Sequence, residues 1–305
     1  MKTIKLTMSQ ALTKWMTNQK IEQFNSKHEN AFAGVWGIFG HGNVAGLGEA
    51  LFNVKDKLPT FRGHNEQGMA HAAISFAKQK KRRQMMAVTS SIGPGATNFL
   101  TACALAYVNR LPVLFLPGDV FANRLPDPVL QQTENFADAT ISANDCFRPI
   151  SRFFDRITRP EQLIQSLPKA MSVLTDPADC GPVTLSLCQD VQSEAYNYPE
   201  SFFEPKVWKI RRQACDFDEL ENAIKKINSS KNPLIIVGGG VKYSDAKAEL
   251  ENLINSTGIP FAVTQAGKSS LDENNSKFVG SIGVTGSSVA NELAKKSDLV
   301  ISVGS

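Results

Sequence analysis

The sequence predicts an α/β protein built from two doubly wound, mainly parallel-sheet domains. Three observations carry that reading. Short apolar runs alternate with segments of helical spacing along most of the chain. Glycines cluster where an apolar run gives way to a helix, at Gly40-His41-Gly42, Gly93-Pro94-Gly95 and Gly238-Gly239-Gly240. At 305 residues the chain is long for one domain and suits two.

An amphipathic helix opens the chain at Met8 to Ile21, and Phe32 to Phe39 is the first apolar run. Pro59 to Arg62 follows as a short strand, Glu66 to Lys80 as a helix and Met85 to Thr89 as a strand. Ala96 to Tyr107 is helical, and Pro112 to Leu116 is again a strand. From Phe121 to Arg156 the pattern weakens, with Pro126 and Pro128 in an irregular loop. Pro160 starts a helix that runs to Leu174 with Leu163, Ile164, Leu167, Ala170 and Met171 on its apolar stripe. Val183 to Leu187 closes a first domain over 1–190.

Residues 191–214 carry Pro199, Pro205 and little periodicity, and read as a linker over the surface. The second domain, 215–305, has helices at Phe217 to Ile227 and Ala246 to Ile254. Its strands are Pro233 to Val237, Pro260 to Val263 and Leu299 to Val303. It stops directly after a strand, where a doubly wound domain is expected to continue, so this domain reads as C-terminally incomplete.

Composition narrows the function. Apolar residues make up 42% and charged residues 20%, with a dispersed net charge of +4. The one basic run, Lys78 to Arg83, ends a helix, where cations meet the negative end of the dipole. A solvated helix terminus accounts for it, and no aromatic interleaving points to nucleic acid. The five cysteines (103, 146, 180, 188, 215) have no CxxC spacing and read as free thiols in a reducing compartment. No signal peptide or membrane span is legible, so the cytoplasm is the expected location. The four histidines lack metal-ligand spacing, so no metal ligands are assigned.

Chemistry concentrates at Gly63-His64-Asn65-Glu66-Gln67-Gly68-Met69-Ala70-His71 and Ser90-Ser91-Ile92-Gly93-Pro94-Gly95-Ala96-Thr97-Asn98. Glu66 stands where a strand passes into a slim, alanine-rich helix, with Asn65 as N-cap; a glutamate in a first helical turn is also ordinary helix chemistry. The helix N-terminus lowers the pKa of such a carboxyl while burial raises it, and a proton-sharing role needs burial to win. Trp36, Ile38, Phe39 and Met69 are the candidate apolar lining. In the second segment Gly93 and Gly95 open unusual backbone conformations and Pro94 stiffens the turn. A plain βα connection explains it too, and it is no Walker P-loop. Gly238-Gly239-Gly240 fits either a nucleotide turn or a simple tight turn.

The two segments, in this order and spacing, resemble the pyrimidine-binding domain of thiamine-diphosphate enzymes. Ile38 to Gly48 resembles that family's first active-site loop. Asn232 to Val237, Gly267-Lys268, Gly280 to Gly286 and Ser297 to Gly304 resemble its middle domain. Gly63 to His71, Gln84 to Ser91 and Pro117 to Arg124 are most similar to the branch that opens a cyclic dione to a deoxyglucuronic acid in inositol breakdown. Many relatives place Arg-His directly before the glutamate; here Asn65 intervenes.

The resemblance implies thiamine diphosphate as cofactor, with Glu66 catalytic through N1′ of the aminopyrimidine, and Gly40, His41, Gly93, Pro94, Gly95 and Asn98 as further cofactor contacts. It implies a small cyclic dione substrate, a homo-oligomer of two or four subunits, and Mg²⁺ held by a Gly-Asp-Gly domain. No Gly-Asp-Gly occurs in these 305 residues, so the expected chain lacks the metal-binding half and is inactive alone. A nucleotide such as NAD is a further candidate ligand of the middle domain. The rivals are an acetolactate-synthase-like transferase and a non-catalytic nucleotide- or partner-binding protein of the same fold.

Overall fold

A computed structural model of the protein describes residues 2–123, 125, 126, 129–132, 137, 138 and 140–305. The chain divides into two compact units, Met1–Arg211 and Arg212–Ser305. Pro128 and Arg124, noted in the sequence, lie outside the described residues.

The strands of the first unit are β1 (Thr3–Thr7), β2 (Gln19–Glu22), β3 (His28–Asn30), β4 (Phe32–Ile38), β5 (Thr60–Arg62), β6 (Met85–Ser90), β7 (Leu114–Asp119), β8 (Phe153–Ile157), β9 (Val183–Cys188), β10 (Ala195–Pro199) and β11 (Lys206–Trp208). Six of them form one parallel sheet in the order β5-β4-β6-β7-β9-β8. The middle strands β6, β7 and β9 are buried at every position. Parallel sheets carry helices on both faces, so their strands read as continuous apolar runs without alternation.

The helices are α1 (Met8–Thr17), α2 (Gly40–Asn43), α3 (Glu49–Asn53), α4 (Glu66–Gln79), α5 (Pro94–Thr97), α6 (Leu100–Val108) and α7 (Leu163–Leu174). Met8, Leu12 and Met16 of α1 share one core with Leu163, Leu167 and Met171 of α7 and with Val35, Leu114 and Leu185 of the sheet. Helices α4 and α6 bury mainly small side chains, Ala70, Ala73 and Ala77 on one and Ala102, Cys103 and Ala106 on the other.

The opening helix stops at Thr17, four residues short of the expected Ile21. A capping box of Thr7 and Gln10 starts it. Ile21 instead lies in β2, paired with Trp208 of β11. In the weakly patterned region 121–156 the described residues include a 3₁₀ segment, Ala143–Ile150, and the edge strand β8. Asp155 and Arg156 interrupt any apolar run there, so β8 has no readable strand pattern.

Residues 191–211, expected as part of a linker, belong to the first unit. β10 pairs antiparallel with β1, and β11 lies parallel to β2. Tyr198 is fully buried and donates its hydroxyl to the Pro160 carbonyl at 2.7 Å. Its ring stacks at 6.0 Å on Phe202. Tyr196, Tyr198, Phe202 and Phe203 form one packed aromatic cluster. Arg83 departs from the solvated helix end: it is buried, donates to the Glu22 carbonyl at 2.8 Å and covers the Phe24 ring at 3.8 Å.

The second unit contains β12 (Pro233–Val237), β13 (Phe261–Val263), β14 (Phe278–Ser281) and β15 (Leu299–Val303), all parallel in the order β14-β13-β12-β15. Its helices are α8 (Phe217–Ser229), α9 (Gly240–Tyr243), α10 (Lys247–Thr257) and α11 (Ser288–Lys296). β14 is a four-residue strand with two register-breaking features, a glycine and a bulge, and its sequence offers no strand signal of its own.

Gly238-Gly239-Gly240 serves close packing of backbone on backbone. A methyl group at Gly238 would lie 2.2 Å from the Gly304 carbonyl oxygen. The amides of Gly238 and Gly240 donate to the carbonyls of Val303 and Gly304, both at 2.8 Å. Two donors a phosphate would need are thus already engaged.

If 195–199 is integral to the first unit, Tyr198→Phe strips the buried Pro160 carbonyl of its partner. The expected loss is about 1–3 kcal/mol, read as a lower urea midpoint. A midpoint identical to the parent would show this segment to be detached in solution.

Candidate functional site

The sheet winds in two directions from β4. The chain goes from β4 to β5 on one side, then crosses to β6 on the other. Crossover helices therefore leave the carboxyl ends of β4 and β6 on opposite sides, and a crevice opens there. Three connections meet at this edge: Gly40–Gly42 after β4, Gly63–Asn65 after β5, and Ser91–Gly93 after β6.

Glu66 is the first residue of α4. Asn65 caps the helix, its side-chain oxygen accepting the Gly68 amide at 2.9 Å. The Glu66 side chain is half-buried and turned toward the connection after β6. Oε2 accepts a hydrogen bond from Asn98 Nδ2 at 2.8 Å. A methyl group at Gly95 would stand 3.4 Å from Oε1. The carboxylate thus lies over the Gly-Pro-Gly turn, partly shielded from solvent.

That turn needs its glycine. Gly93 has φ +57° and ψ −118°, a conformation closed to side chains, and it precedes Pro94 at the first position of α5. Gly40 has φ +53°, and a Cβ there would meet Ser91 Oγ at 2.6 Å. A Cβ at Gly42 would lie 3.3 Å from the same oxygen. Ser91 is only 8% exposed, and its hydroxyl has no hydrogen-bond partner among the described residues.

The structure therefore gathers Glu66, Gly95 and Asn98 into direct proximity, with Gly93 and Pro94 in the same turn and Gly40 packed on its first residue. His41 turns aside, its Nε2 lying 2.8 Å from the Leu130 carbonyl. His64 is exposed, and His71 stands within 3.4 Å of Gln67 on α4. Of the expected apolar lining, Trp36, Ile38 and Phe39 are half-buried and Met69 is buried. Gly63 makes room for Met69 itself, since a Cβ would lie 2.2 Å from Met69 Cγ.

Two buried polar groups were not evident from the sequence. Asn43, fully buried, donates from Nδ2 to Thr89 Oγ1 at 2.7 Å and to the Ser90 carbonyl at 2.6 Å. Its Oδ1 accepts from Gln192 Nε2 at 2.9 Å, and Gln192 Oε1 accepts the Leu47 amide at 3.2 Å. Leu47 sits in a π-helical turn, Val44–Gly48. This pair clamps the first loop to β6.

The second group is ionic. Asp119, 2% exposed at the end of β7, accepts from Arg156 Nε at 2.7 Å and from Ser186 Oγ at 2.6 Å. Arg156 also reaches Ser142 Oγ at 2.7 Å and Asp145 at 3.0 Å. The cluster ties β7, β8 and β9 to the 3₁₀ segment that packs beside α5 and α6. Residues so far apart in sequence give no linear signal. Cys103, under the same segment, is no nucleophile, because burial pushes its thiol up to about 12. Among the described residues no group of three His, Cys, Asp or Glu side chains could hold a metal ion, and no helix is long and apolar enough to cross a membrane.

A half-buried carboxylate at the switch point of a parallel sheet, facing a glycine turn, accords with the thiamine pyrophosphate enzyme class. The chain belongs to that family: residues 27–139 match the thiamine pyrophosphate enzyme N-terminal TPP binding domain, and 220–305 match the thiamine pyrophosphate enzyme central domain. It is similar to proteins named 3D-(3,5/4)-trihydroxycyclohexane-1,2-dione hydrolase. The one from Geobacillus thermodenitrificans (strain NG80-2) is 52% identical over 304 residues, and one from Bacillus cereus (strain AH820) is 50% identical over 304. In both comparisons the whole of this chain aligns with 47% of the relative, so the chain spans about half the length of the curated relatives it matches.

Removing Arg156 as Arg156→Ala leaves Asp119 buried without its cation. The expected destabilisation is about 3–5 kcal/mol, measured by denaturant unfolding; a loss under about 1 kcal/mol would mark the pair as incidental. Acid gives a second check. Burial pushes the Asp145 carboxyl up, but the Ser142 amide with Arg148 and Arg156 outweighs it and holds the group below its ordinary value of 3.8. A depressed carboxylate contributes stability above its unfolded pKa and loses it as pH falls through the folded one. The unfolding midpoint should therefore drop below about pH 4, less steeply in Asp145→Asn. Parallel profiles would contradict the ion cluster.

Proposed function

We propose that this chain supplies the aminopyrimidine-binding half of a thiamine-diphosphate site in an enzyme that hydrolyses a carbon–carbon bond of a trihydroxycyclohexane-1,2-dione. The observation that carries the proposal is the Glu66 carboxylate, half-buried at the switch point and lying over the Gly93–Gly95 turn. The similarity to hydrolases of that name, at 52% and 50% identity, supports the substrate class.

The residues present fit the cofactor. Gly95 leaves the approach to Oε1 of Glu66 open, where a Cβ would stand in contact with that oxygen. The Ser91 hydroxyl, buried and unpartnered, stands at the same turn. Bound thiamine diphosphate supplies a nucleophilic carbon and an electron sink. Glu66 holds a proton at the ring nitrogen N1′, and the fixed turn after β6 keeps its carboxyl oriented. Gly40, Gly93, Pro94 and Gly95 shape the pocket wall. Among the described residues no group of three His, Cys, Asp or Glu side chains is placed to hold Mg²⁺.

A homo-oligomer accompanies the proposal. Val44 and Phe52 flank the first loop and are 56% and 66% exposed, an apolar rim suited to cover by another subunit.

Glu66→Gln, in a completed protein of the relatives' full length assayed with thiamine diphosphate and Mg²⁺, should lower ring-opening by roughly 10²–10⁴-fold with little change in unfolding midpoint. A rate held within a few-fold would make the fold a scaffold. Turnover of pyruvate in place of the dione would select a transferase.

A further inference from the structure

The hydrogen bond between Asn98 and Glu66 does more than fill a valence. Asn98 lies between α5 and α6, with its amide bonded to the Pro94 carbonyl at 3.2 Å. It is therefore carried rigidly by the Gly93–Pro94 turn. Its Nδ2 lies 2.8 Å from Glu66 Oε2. An amide N–H only donates, so the oxygen it faces cannot carry a proton along the same line. The other oxygen, Oε1, faces Gly95, which has no side chain to occupy the space.

Resting on the reading of Glu66 given above, we propose that Asn98 is a positioning residue: it holds Glu66 by Oε2 and so makes Oε1 the oxygen that carries and delivers the proton. The resemblance places Asn98 among cofactor contacts; the geometry engages one of its two side-chain N–H groups with the carboxylate. A carboxyl group has two oxygens that rotation about χ3 exchanges freely. Fixing one of them removes that exchange, so the proton is presented in a single direction. Losing a hydrogen bond to a charged group corresponds to roughly a ten- to hundredfold effect.

Two measurements test this independently. In the protein prepared without thiamine diphosphate, the carboxyl ¹³C resonance of Glu66 is assigned by its disappearance in Glu66→Gln. Asn98→Ala and Asn98→Asp should each displace that resonance while the unfolding midpoint stays near the parent value. A resonance that does not move shows that the contact is absent in solution and overturns the proposal. In a completed protein of the relatives' full length, with thiamine diphosphate and Mg²⁺ as probes, Asn98→Ala should leave the cofactor Kd within about threefold while kcat for dione opening falls roughly ten- to hundredfold. A loss of cofactor affinity that matches the loss of rate would make Asn98 a cofactor ligand, against the proposal. If the completed parent opens no dione, the function proposed above fails, yet the resonance still decides whether Asn98 holds Glu66.

Discussion

A parallel sheet that winds in opposite directions from one strand cannot cover its own carboxyl edge at that strand, and the site depends on this constraint. Between β4 and β6 the crossovers diverge. Whatever sits at the ends of those strands is exposed to a ligand and framed by backbone. Glu66, the Gly93–Gly95 turn and the Gly40–Gly42 turn all occupy that edge. Their roles follow from place as much as from residue type.

Place alone would leave the turns mobile, and buried polar groups fix them. Asn43 and Gln192 hold the first loop against β6 through short bonds inside a dry environment. Asp119 and Arg156 hold the 3₁₀ segment that backs α5 and α6. Such networks are costly when broken and hence rigid when complete. A carboxylate can be aimed only if the turn that aims it does not move, so the core chemistry of the unit serves the crevice indirectly.

Much of this was legible in the sequence for a physical reason. Central parallel strands such as β6 and β7 are apolar throughout, and helices such as α7 carry a plain stripe. Glu66 and the Gly93–Gly95 turn were legible because glycine and a capped helix start are local signals. Partners were not. Asn98 gave no sign that its amide would meet a glutamate thirty-two residues away. β1, β8 and β10 were missed because edge strands keep polar residues: Lys5 of β1 and Asn197 of β10 face solvent, while Asp155 and Arg156 of β8 are hydrogen-bonded. Gly238-Gly239-Gly240 misled in a different way. A glycine run marks close approach, but the sequence does not say to what, and here it is the chain's own Gly304.

The antiparallel pairing of β1 with β10 sets Thr3 against Pro199. During synthesis, at about 5–20 residues per second, the opening strand waits roughly ten to forty seconds for its mate to be translated. Until then β1 has an open edge and α1 lacks the aromatic cluster of Tyr198 and Phe203 that seals it. The first unit therefore closes like a clasp only after β10 leaves the ribosome.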